Sequence, residues 1–362
     1  MRVIIVGAGI GGLALACGLT RDGHDVQVLE KAAGLRLDGA AVTIFSNGAA
    51  AADGLGVSLE GLGGRVETLT FGTPDGRPFA TADLRELHHR TGYGVGTVPR
   101  RAILERFASA LPEHTITYDS EVADVEATMR EHGADVLVGA DGYNSAVRRA
   151  VLGDGQAARN GWTSWQGLTK DVQDLGTHAR CLVGRDGLCG LMPAGEGLLQ
   201  WWFDVHEPPP GDVVAWLKDR FQGYADPVPR LLDHLTAADV QEYPHVTHRI
   251  PDRWGTGPTT LLGDAAHAFP PSQAQGANQA LEDAWLLRRA LAGGAPNLRT
   301  YERIRARRVR RISRLAASEV TNRPPSAPAR LAGRLLSPQR LARLQLAAIR
   351  RASSVLNDDR PE

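Results

Sequence analysis

The first apolar run of the chain, Val3 to Val6, is short and β-branched, the pattern of a parallel strand covered on both faces. A glycine-rich turn over Gly7–Gly12 follows. Leu13–Leu19 then opens a helix, and His24–Leu29 repeats the strand pattern and ends on Glu30. Strand, helix and strand in about 30 residues make one βαβ unit. Gly39–Gly56 predicts a strand, a turn at Asn47-Gly48 and a small-residue helix, and Val66–Ala80 a hairpin turning at Pro74-Asp75-Gly76-Arg77. Arg100–Leu111 has a helical pattern, Thr115–Val125 one or two strands, and Asp135–Gly139 a further apolar strand leading to a turn and a helix. Between Trp162 and His206 the rhythm changes to short strands, with turns at Gly184–Gly187 and Pro193–Gly197. Val213–Phe221 reads as helix, Thr259–Leu262 as buried strand, and Ala277–Leu291 and Tyr301–Leu315 as long helices. A proline-rich break at Asn322–Pro328 precedes one or two basic amphipathic helices over Leu331–Leu356, and no internal repeat is visible.

Lysine plus arginine and aspartate plus glutamate both number 41, so the formal net charge is zero. That balance argues against a dedicated nucleic-acid binder, whose affinity rests on excess positive charge. The arginines of Arg299–Arg314 then read as a solvated, salt-bridged helix face. Cys17, Cys181 and Cys189 form neither C-x-x-C nor a metal-ligand cluster, and are expected as small core residues in a reducing compartment. Met1 runs straight into the first strand, which leaves no room for a signal peptide, and no apolar run has the length of a membrane span. The expectation is a cytoplasmic protein.

Two segments carry candidate chemistry. In the first, G-x-G-x-x-G falls at Gly7, Gly9 and Gly12, between a strand and a helix, with Ile10 and Gly11 inside it. Gly7 permits the tight turn, Gly9 the close approach of a pyrophosphate, and Gly12 helix–strand packing. The unpaired N–H groups of the helix start and its dipole favour a dianion there. Glu30, followed by Lys31, sits where a carboxylate accepts from both ribose hydroxyls; an acid there disfavours a 2′-phosphate, so FAD or NAD fits and NADP does not. The second segment is Gly263–Ala284, a strand ending with an acid, two prolines and a glycine-containing entry to a helix. A flavin dinucleotide needs two such places, one for its pyrophosphate and one for its ring.

The second segment and two others carry a family resemblance. VGADGYNSAVRRAV resembles the D-G-x-x-S-x-V-R motif of single-component flavin hydroxylases, and LLGDAAHAFPPSQAQGANQALEDA resembles their G-D-A-A-H…P-P…Q-G-x-N…D segment. GTVPRRAILERF is similar to their R-x-x-L helix start, with Arg101 at the arginine, and Arg36 stands where such proteins carry an arginine before a Gly-Ala turn. GWTSWQGL and GLCGLMPAGEGLLQWWF resemble substrate-domain strands of the branch containing zeaxanthin epoxidase and urate hydroxylase. From Met1 to about Ser318 the chain is thereby identified as a member of the class A FAD-dependent monooxygenases, with the p-hydroxybenzoate hydroxylase fold.

The resemblance implies an α/β fold. A discontinuous Rossmann-like FAD-binding domain would cover 1–65, 96–160 and 250–320, a substrate-binding β-sheet domain 66–95 and 161–249, and a basic helical tail 321–362. It implies non-covalent FAD held by Asp264 at the ribityl or pyrophosphate region, and by Gln275, Gly276, Ala277 and Asn278 at the flavin N1–C2=O edge, where reduction leaves negative charge. Val122 joins this set. Asp141, near Arg148, is either a cofactor contact or a structural residue; His267 reads as backbone support. Pro271 would lie beside the C4a position where the hydroperoxide forms; Gln273, where relatives carry glycine, either points an amide into the site or caps a helix. Trp165, Leu191, Trp201 and Phe203 are the expected substrate wall, with the large aromatics equally readable as core. Ala127–Gly133 reads as the remnant of a β-hairpin that is fuller in the family.

The implied activity is monooxygenation: NADH or NADPH reduces the flavin, O2 adds, and a hydrophobic aromatic, polycyclic or prenylated small molecule is hydroxylated or epoxidised, by a monomer or homodimer. No protein nucleophile and no metal are required. A flavin-dependent halogenase would show W-x-W-x-I-P, which WTSWQG does not match. A prenyl-chain reductase on this fold, and a non-catalytic flavin- or lipid-binding protein, stay open as alternatives.

Overall fold

The first sheet is built from the apolar runs in the order that burial on both faces requires. In a computed structural model, which describes residues 1–154, 156–170, 172–206, 211–293 and 296–361, five parallel strands form it. They are β1 (Arg2–Val6), β2 (Asp25–Leu29), β8 (Ile116–Thr117), β9 (Val136–Gly139) and β15 (Thr259–Leu261), in the order β15-β9-β1-β2-β8. Helix α1 (Ile10–Arg21) packs on this sheet and against the long α10 (Gly276–Leu291). A Cβ on Gly11 would stand 2.6 Å from Leu262 Cδ1, so glycine there sets how closely α1 meets its neighbours. A small sheet, β3 (Ala41–Ile44), β7 (Gly96–Pro99) and β4 (Gly64–Arg65), forms an arm beside it.

The intervening helices differ from expectation in two places. Helix α2 (Ser46–Gly54) includes Asn47 and Gly48, so no turn separates strand from helix; Asn47 is instead buried and bonded to α10. Where a hairpin remnant was expected, Val125–His132 forms helix α5, capped by Asp124, whose side chain accepts from the Ala127 N–H, and closed by Gly133 in the left-handed region. The N-cap aspartate and terminal glycine are sufficient local reasons for a helix. The other helices on this side are α4 (Arg100–Ala108), α6 (Ala146–Leu152), the one-turn α9 (Asp264–His267) and α11 (Leu298–Ala317), while α3 (Arg85–Thr91) buries Leu87 in the core of the mixed sheet.

Seven strands make the second, mixed sheet: β5 (Thr68–Gly72), β6 (Pro78–Asp83), β10 (Ala158–Lys170), β11 (His178–Val183), β12 (Leu188–Pro193), β13 (Leu198–Val205) and β14 (Gln241–Thr247). The β5–β6 hairpin turns at Pro74–Arg77 as expected. Register decides what each face does. Trp165 lies opposite Phe203, and Leu191 opposite Trp201, so all four share a face. Helices α7 (Val213–Phe221) and α8 (Val228–His234) cover that face, packing Leu217, Phe221, Val228 and Leu231 onto it. Gln166, Gln200, Trp202 and Asp204 alternate to the opposite face, turned toward the parallel-sheet side.

The C-terminal segment is integrated into the fold. Helix α13 (Pro338–Ala352) buries Ala342, Leu346 and Ile349 against β6 and α3, and α12 (Ala327–Leu335) lies along β6.

A buried ionic cluster joins the mixed sheet to the end of α11. His245 of β14 places Nδ1 2.8 Å from Glu319 Oε1 and Nε2 2.9 Å from Ser164 Oγ, with Asp204 Oδ1 at 3.7 Å. Asn160 and Asn322 donate to the remaining positions of the Glu319 carboxylate. Burial alone would lower the His245 pKa, but its hydrogen bond to Glu319 and the two nearby carboxylate charges, Asp204 and Glu319, win and raise it to about 9. A histidine whose folded pKa is raised contributes stability that is complete below its unfolded value of 6.5 and is lost as pH rises through about 9. Urea unfolding across this interval is therefore expected to show declining stability, and His245→Gln should flatten that decline. A variant whose profile parallels the wild type would show that His245 does not govern it.

Candidate active site

The glycine turn after β1 is shaped by contacts that admit no side chain. Gly7 has φ +107°, and a Cβ there would lie 2.5 Å from the Ala140 carbonyl oxygen; one on Gly12 would lie 2.1 Å from the Gly7 oxygen. At Gly9 a Cβ would meet nothing within 4 Å. Gly7 and Gly12 thus satisfy the fold, and Gly9 leaves open space at the start of α1. The N–H groups of Ile10, Gly11 and Gly12 face no acceptor among the described residues, as expected for a first helical turn. Glu30 ends β2 with its carboxylate held by the N–H of Ala8 at 2.9 Å and of Ala32 at 3.0 Å, one on each oxygen. Each oxygen keeps a lone pair for a further donor. Lys31 is exposed, and Val122 buries its side chain in the core near the end of β8.

The second place is built from the end of β15. Gly263, with φ +58°, turns the chain so that Asp264 is exposed while Ala265, Ala266 and His267 behind it are buried. The Asp264 carboxylate has no hydrogen-bond partner among the described residues. It is open to solvent, yet the protein around it is dense enough that desolvation pushes its carboxyl above the ordinary carboxylate range, offset in part by the charges of His267 and Arg100. This is the environment of a carboxylate on the floor of a cleft. Arg100 packs on the turn at Gly39, whose φ is +127° and whose Cβ would lie 2.8 Å from Arg100 Cδ.

Arg100, not Arg101, is the arginine that faces Asp264. Arg101 points outward and pairs with Glu105 at 2.8 Å, one helical turn along α4. Two arginines in succession are only 100° apart on a helix, and sequence spacing does not say which turns inward. Arg36 is exposed, without an ionic partner among the described residues.

At the start of α10 the side chains and the backbone have separate tasks. Gln275 accepts from Asn47 at 3.1 Å and from Gln279 at 3.2 Å. Asn278 accepts from the Phe45 N–H and donates to Thr43 and Ala274 carbonyls. Both side chains therefore bind α10 to the β3–α2 segment and do not reach the cleft. What remains free is the main chain: the N–H groups of Gly276 and Ala277 have no acceptor among the described residues, and a Cβ on Gly276 would meet nothing within 4 Å.

Asp141 accepts from the Oγ of Ser145, the N-cap of α6, and from the Ala146 and Val147 N–H groups, so its carboxylate has a structural role. Arg148 is wholly buried and donates to the Ala265, Ala266 and Arg249 carbonyls, so it braces the turn behind Asp264. His267 lies 2.5 Å from Asp283 in the interior, a supporting position. Pro271 is exposed at the start of a 3₁₀ turn, but Gln273 directs its amide to Thr321, 3.5 Å away on the C-terminal side, so it does not point into the cleft.

The expected substrate wall is also overturned. Trp165, Leu191, Trp201 and Phe203 face α7 and α8, and the Trp201 indole N–H is spent on Thr169 Oγ1 at 2.8 Å. The face toward Asp264 carries Gln166, Gln200, Trp202 and Tyr243. Gln200 accepts from the Ala41 N–H and donates to Gln166 at 3.2 Å. Trp202 lies flat over Gly190, where a Cβ would come within 2.0 Å of the indole. The alternation along β13 was the available signal; it defined two faces without saying which one the helices cover.

Free N–H groups beside a shared-carboxylate turn, and a second free N–H cluster next to an unpaired carboxylate, fit a dinucleotide with a pyrophosphate, ribose hydroxyls and a ring carbonyl edge. A family model described as FAD binding domain matches residues 1–316, and the chain belongs to that family. The chain is 29% identical to an aurachin C monooxygenase/isomerase of Stigmatella aurantiaca, over 88% of this chain and 87% of that protein. It is 29% identical to a chloroplastic zeaxanthin epoxidase of Spinacia oleracea, over 89% of this chain and 54% of that one. A crystal structure of Klebsiella pneumoniae HpxO complexed with FAD and uric acid superposes with a TM-score of 0.86 at 26% identity, covering 97% of each chain. The fold is that of the FAD-binding hydroxylases, and FAD is the cofactor of the family.

The two glycines separate folding from binding. Gly12→Ala should prevent a native fold, since its Cβ would strike a backbone oxygen. Gly9→Ala should unfold like the wild type and bind FAD more weakly. Asp264→Ala is expected to lose about ten- to hundredfold in FAD affinity, the worth of a charge-assisted hydrogen bond of about 1.5–3 kcal/mol. Titration of apoprotein with FAD, read by flavin fluorescence, checks both; wild-type affinity in Asp264→Ala would remove Asp264 from the cofactor site.

Proposed function

We propose that this protein is an FAD-dependent monooxygenase that uses NADH or NADPH and O2 to hydroxylate or epoxidise a small aromatic molecule. The observation that carries this reading is the opposition of two elements: the cleft floor at Asp264 and the α10 start, and the inward face of the mixed sheet. Bound FAD would supply the electron transfer and oxygen activation, and the protein binding, orientation and water exclusion. Gly7–Gly12 and Glu30 would hold the adenosine and pyrophosphate part. Asp264 and Arg100 would hold the middle, and the N–H groups of Gly276 and Ala277 the carbonyl edge of the ring, where their dipole stabilises negative charge. Pro271 would border the reacting edge. A second G-x-G-x-x-G after a strand is absent from the sequence, which supports a nicotinamide cofactor that visits and leaves.

The substrate class follows from the inward wall. Trp202 offers a flat apolar surface, and the partly exposed Gln166 and Tyr243 offer amide and hydroxyl groups on the same face. That set favours a planar ring bearing polar substituents over a purely hydrocarbon substrate. An aurachin C monooxygenase/isomerase and an HpxO complexed with uric acid, among the similar proteins, support a ring substrate.

Substrate-dependent oxygen uptake with NADH or NADPH is the deciding measurement; a flavin protein that shows none with a broad panel of ring compounds would be a binding protein or a reductase instead. Within the enzyme reading, Trp202→Ala should raise the fraction of reducing equivalents released as H2O2 and leave FAD affinity within about twofold, since the residue faces substrate space. Trp201→Ala should instead lower stability by about 3–5 kcal/mol, as for a large core truncation, with coupling unchanged in the folded fraction. The opposite pattern would return the substrate wall to the outer face.

A further inference from the structure

The neutral net charge of the chain conceals a strong polarity. Between Leu298 and Ala352 the sequence holds fifteen arginines and only two acidic residues, Glu302 and Glu319, both of them buried. The rest of the chain is correspondingly acidic. Arg299, Arg305, Arg308, Arg310 and Arg343 are paired with carboxylates. The other ten, among them Arg311, Arg314, Arg330, Arg334 and Arg340, have no carboxylate partner among the described residues.

Of the six exposed large apolar residues among the described residues, all but Tyr143 fall in the same region. Leu315, Val320, Leu331, Leu335 and Leu344 are all exposed, Leu331 by 59% and Leu335 by 77%. Leu331 and Leu335 lie one turn apart on α12, with Arg330 and Arg334 each adjacent to one of them. The opposite side of α12 is fixed: a Cβ on Gly333 would stand 2.5 Å from the Phe79 carbonyl oxygen, so the helix is pressed onto β6 and its leucines are held away from the core. Leu315 follows Arg311, and Leu344 follows Arg340, at the same one-turn spacing. Leucine and unpaired arginine thus recur together on three helices.

We infer that the exposed face of α12, with Leu331 and Leu335 beside Arg330 and Arg334, is a docking surface for an anionic lipid bilayer. Leucines seat at the boundary of headgroup and acyl chain, and arginines beside them meet lipid phosphates; this is the composition of a helix lying in the interface plane. The two other partners fit less well. A nucleic acid would use the arginines but offers nothing to exposed leucines. A second copy meeting this face about a two-fold axis would bring unpaired arginines against unpaired arginines, with no carboxylate supplied by either side. None of these residues belongs to the cofactor or substrate site, so the inference stands apart from the proposed reaction.

The test is vesicle flotation of the full FAD-loaded chain at about 0.1 M salt, where charges are screened beyond about 10 Å. Protein should rise with vesicles rich in phosphatidylglycerol and stay behind with pure phosphatidylcholine. Leu331→Ser/Leu335→Ser and Arg330→Gln/Arg334→Gln should each weaken partitioning by about tenfold. Both surface variants should keep wild-type FAD content and circular dichroism. Three results would overturn the inference. The first is no flotation with anionic vesicles. The second is flotation that the leucine variant leaves unchanged. The third is a lipid-free dimer that the leucine variant converts to monomer, which would assign the face to a second copy.

Discussion

Everything at the cleft floor rests on one buried cation. Arg305, on α11, is wholly buried and donates to Asp283 at 2.6 Å, to the Gln279 side chain at 2.7 Å, to Ser354 Oγ at 3.1 Å and to Glu282 at 3.4 Å. Asp283 in turn accepts from the Gly263 N–H and meets His267, so the turn that presents Asp264 hangs from the same group. Glu282 carries the chain of contacts to Asn47, and through Asn47 to Gln275 at the start of α10. Burial raises the Asp283 carboxyl, but His267 and Arg305 outweigh it and hold it below the ordinary range; Glu282, with weaker compensation, is held above. Removing one member of such a network leaves a buried charge without its partner, a cost of about 3–5 kcal/mol.

This arrangement explains why the C-terminal segment cannot be treated as an appendage. The Ser354 and Val355 N–H groups donate to Glu282, and Arg305 reaches the Ala352 carbonyl, so the chain end completes the hydrogen bonding of helix α10. The same helix offers its free N–H groups to the cleft. Residues that touch neither cofactor nor substrate thereby fix the direction of the dipole that a reduced ring would use. The His245 cluster does a parallel task on the other side, tying the mixed sheet to the end of α11, whose following turn receives the side chain of Gln273 through Thr321.

How much was legible depended on whether a local rule was enough. The Gly7–Gly12 turn, Glu30 and the Gly263-Asp264 turn could be read directly, because each is a backbone requirement expressed within a few residues. The Asn47-Gly48 turn was misread because those residues usually break a helix; here a buried partner on α10 holds Asn47 in helical geometry. Arg101 was misplaced, and the two readings of Gln273 stayed open, for a related reason. Both have the right chemistry, and both spend it on a neighbour, Glu105 or Thr321, whose position follows only from the folded chain.

The sequence by itself determined the parallel sheet, the two places of free backbone N–H groups and the family, since strands, glycine turns and helix starts are local in origin. It also determined that β13 has two faces, because side chains alternate along any strand. Only the tertiary structure decided which face is the core and which meets the cleft. Trp201 and Phe203 are more apolar than Gln200 and Gln166, and α7 and α8 take them by burying apolar area from water. The more polar face is left for the site, a choice made by long-range packing between segments that the sequence keeps apart.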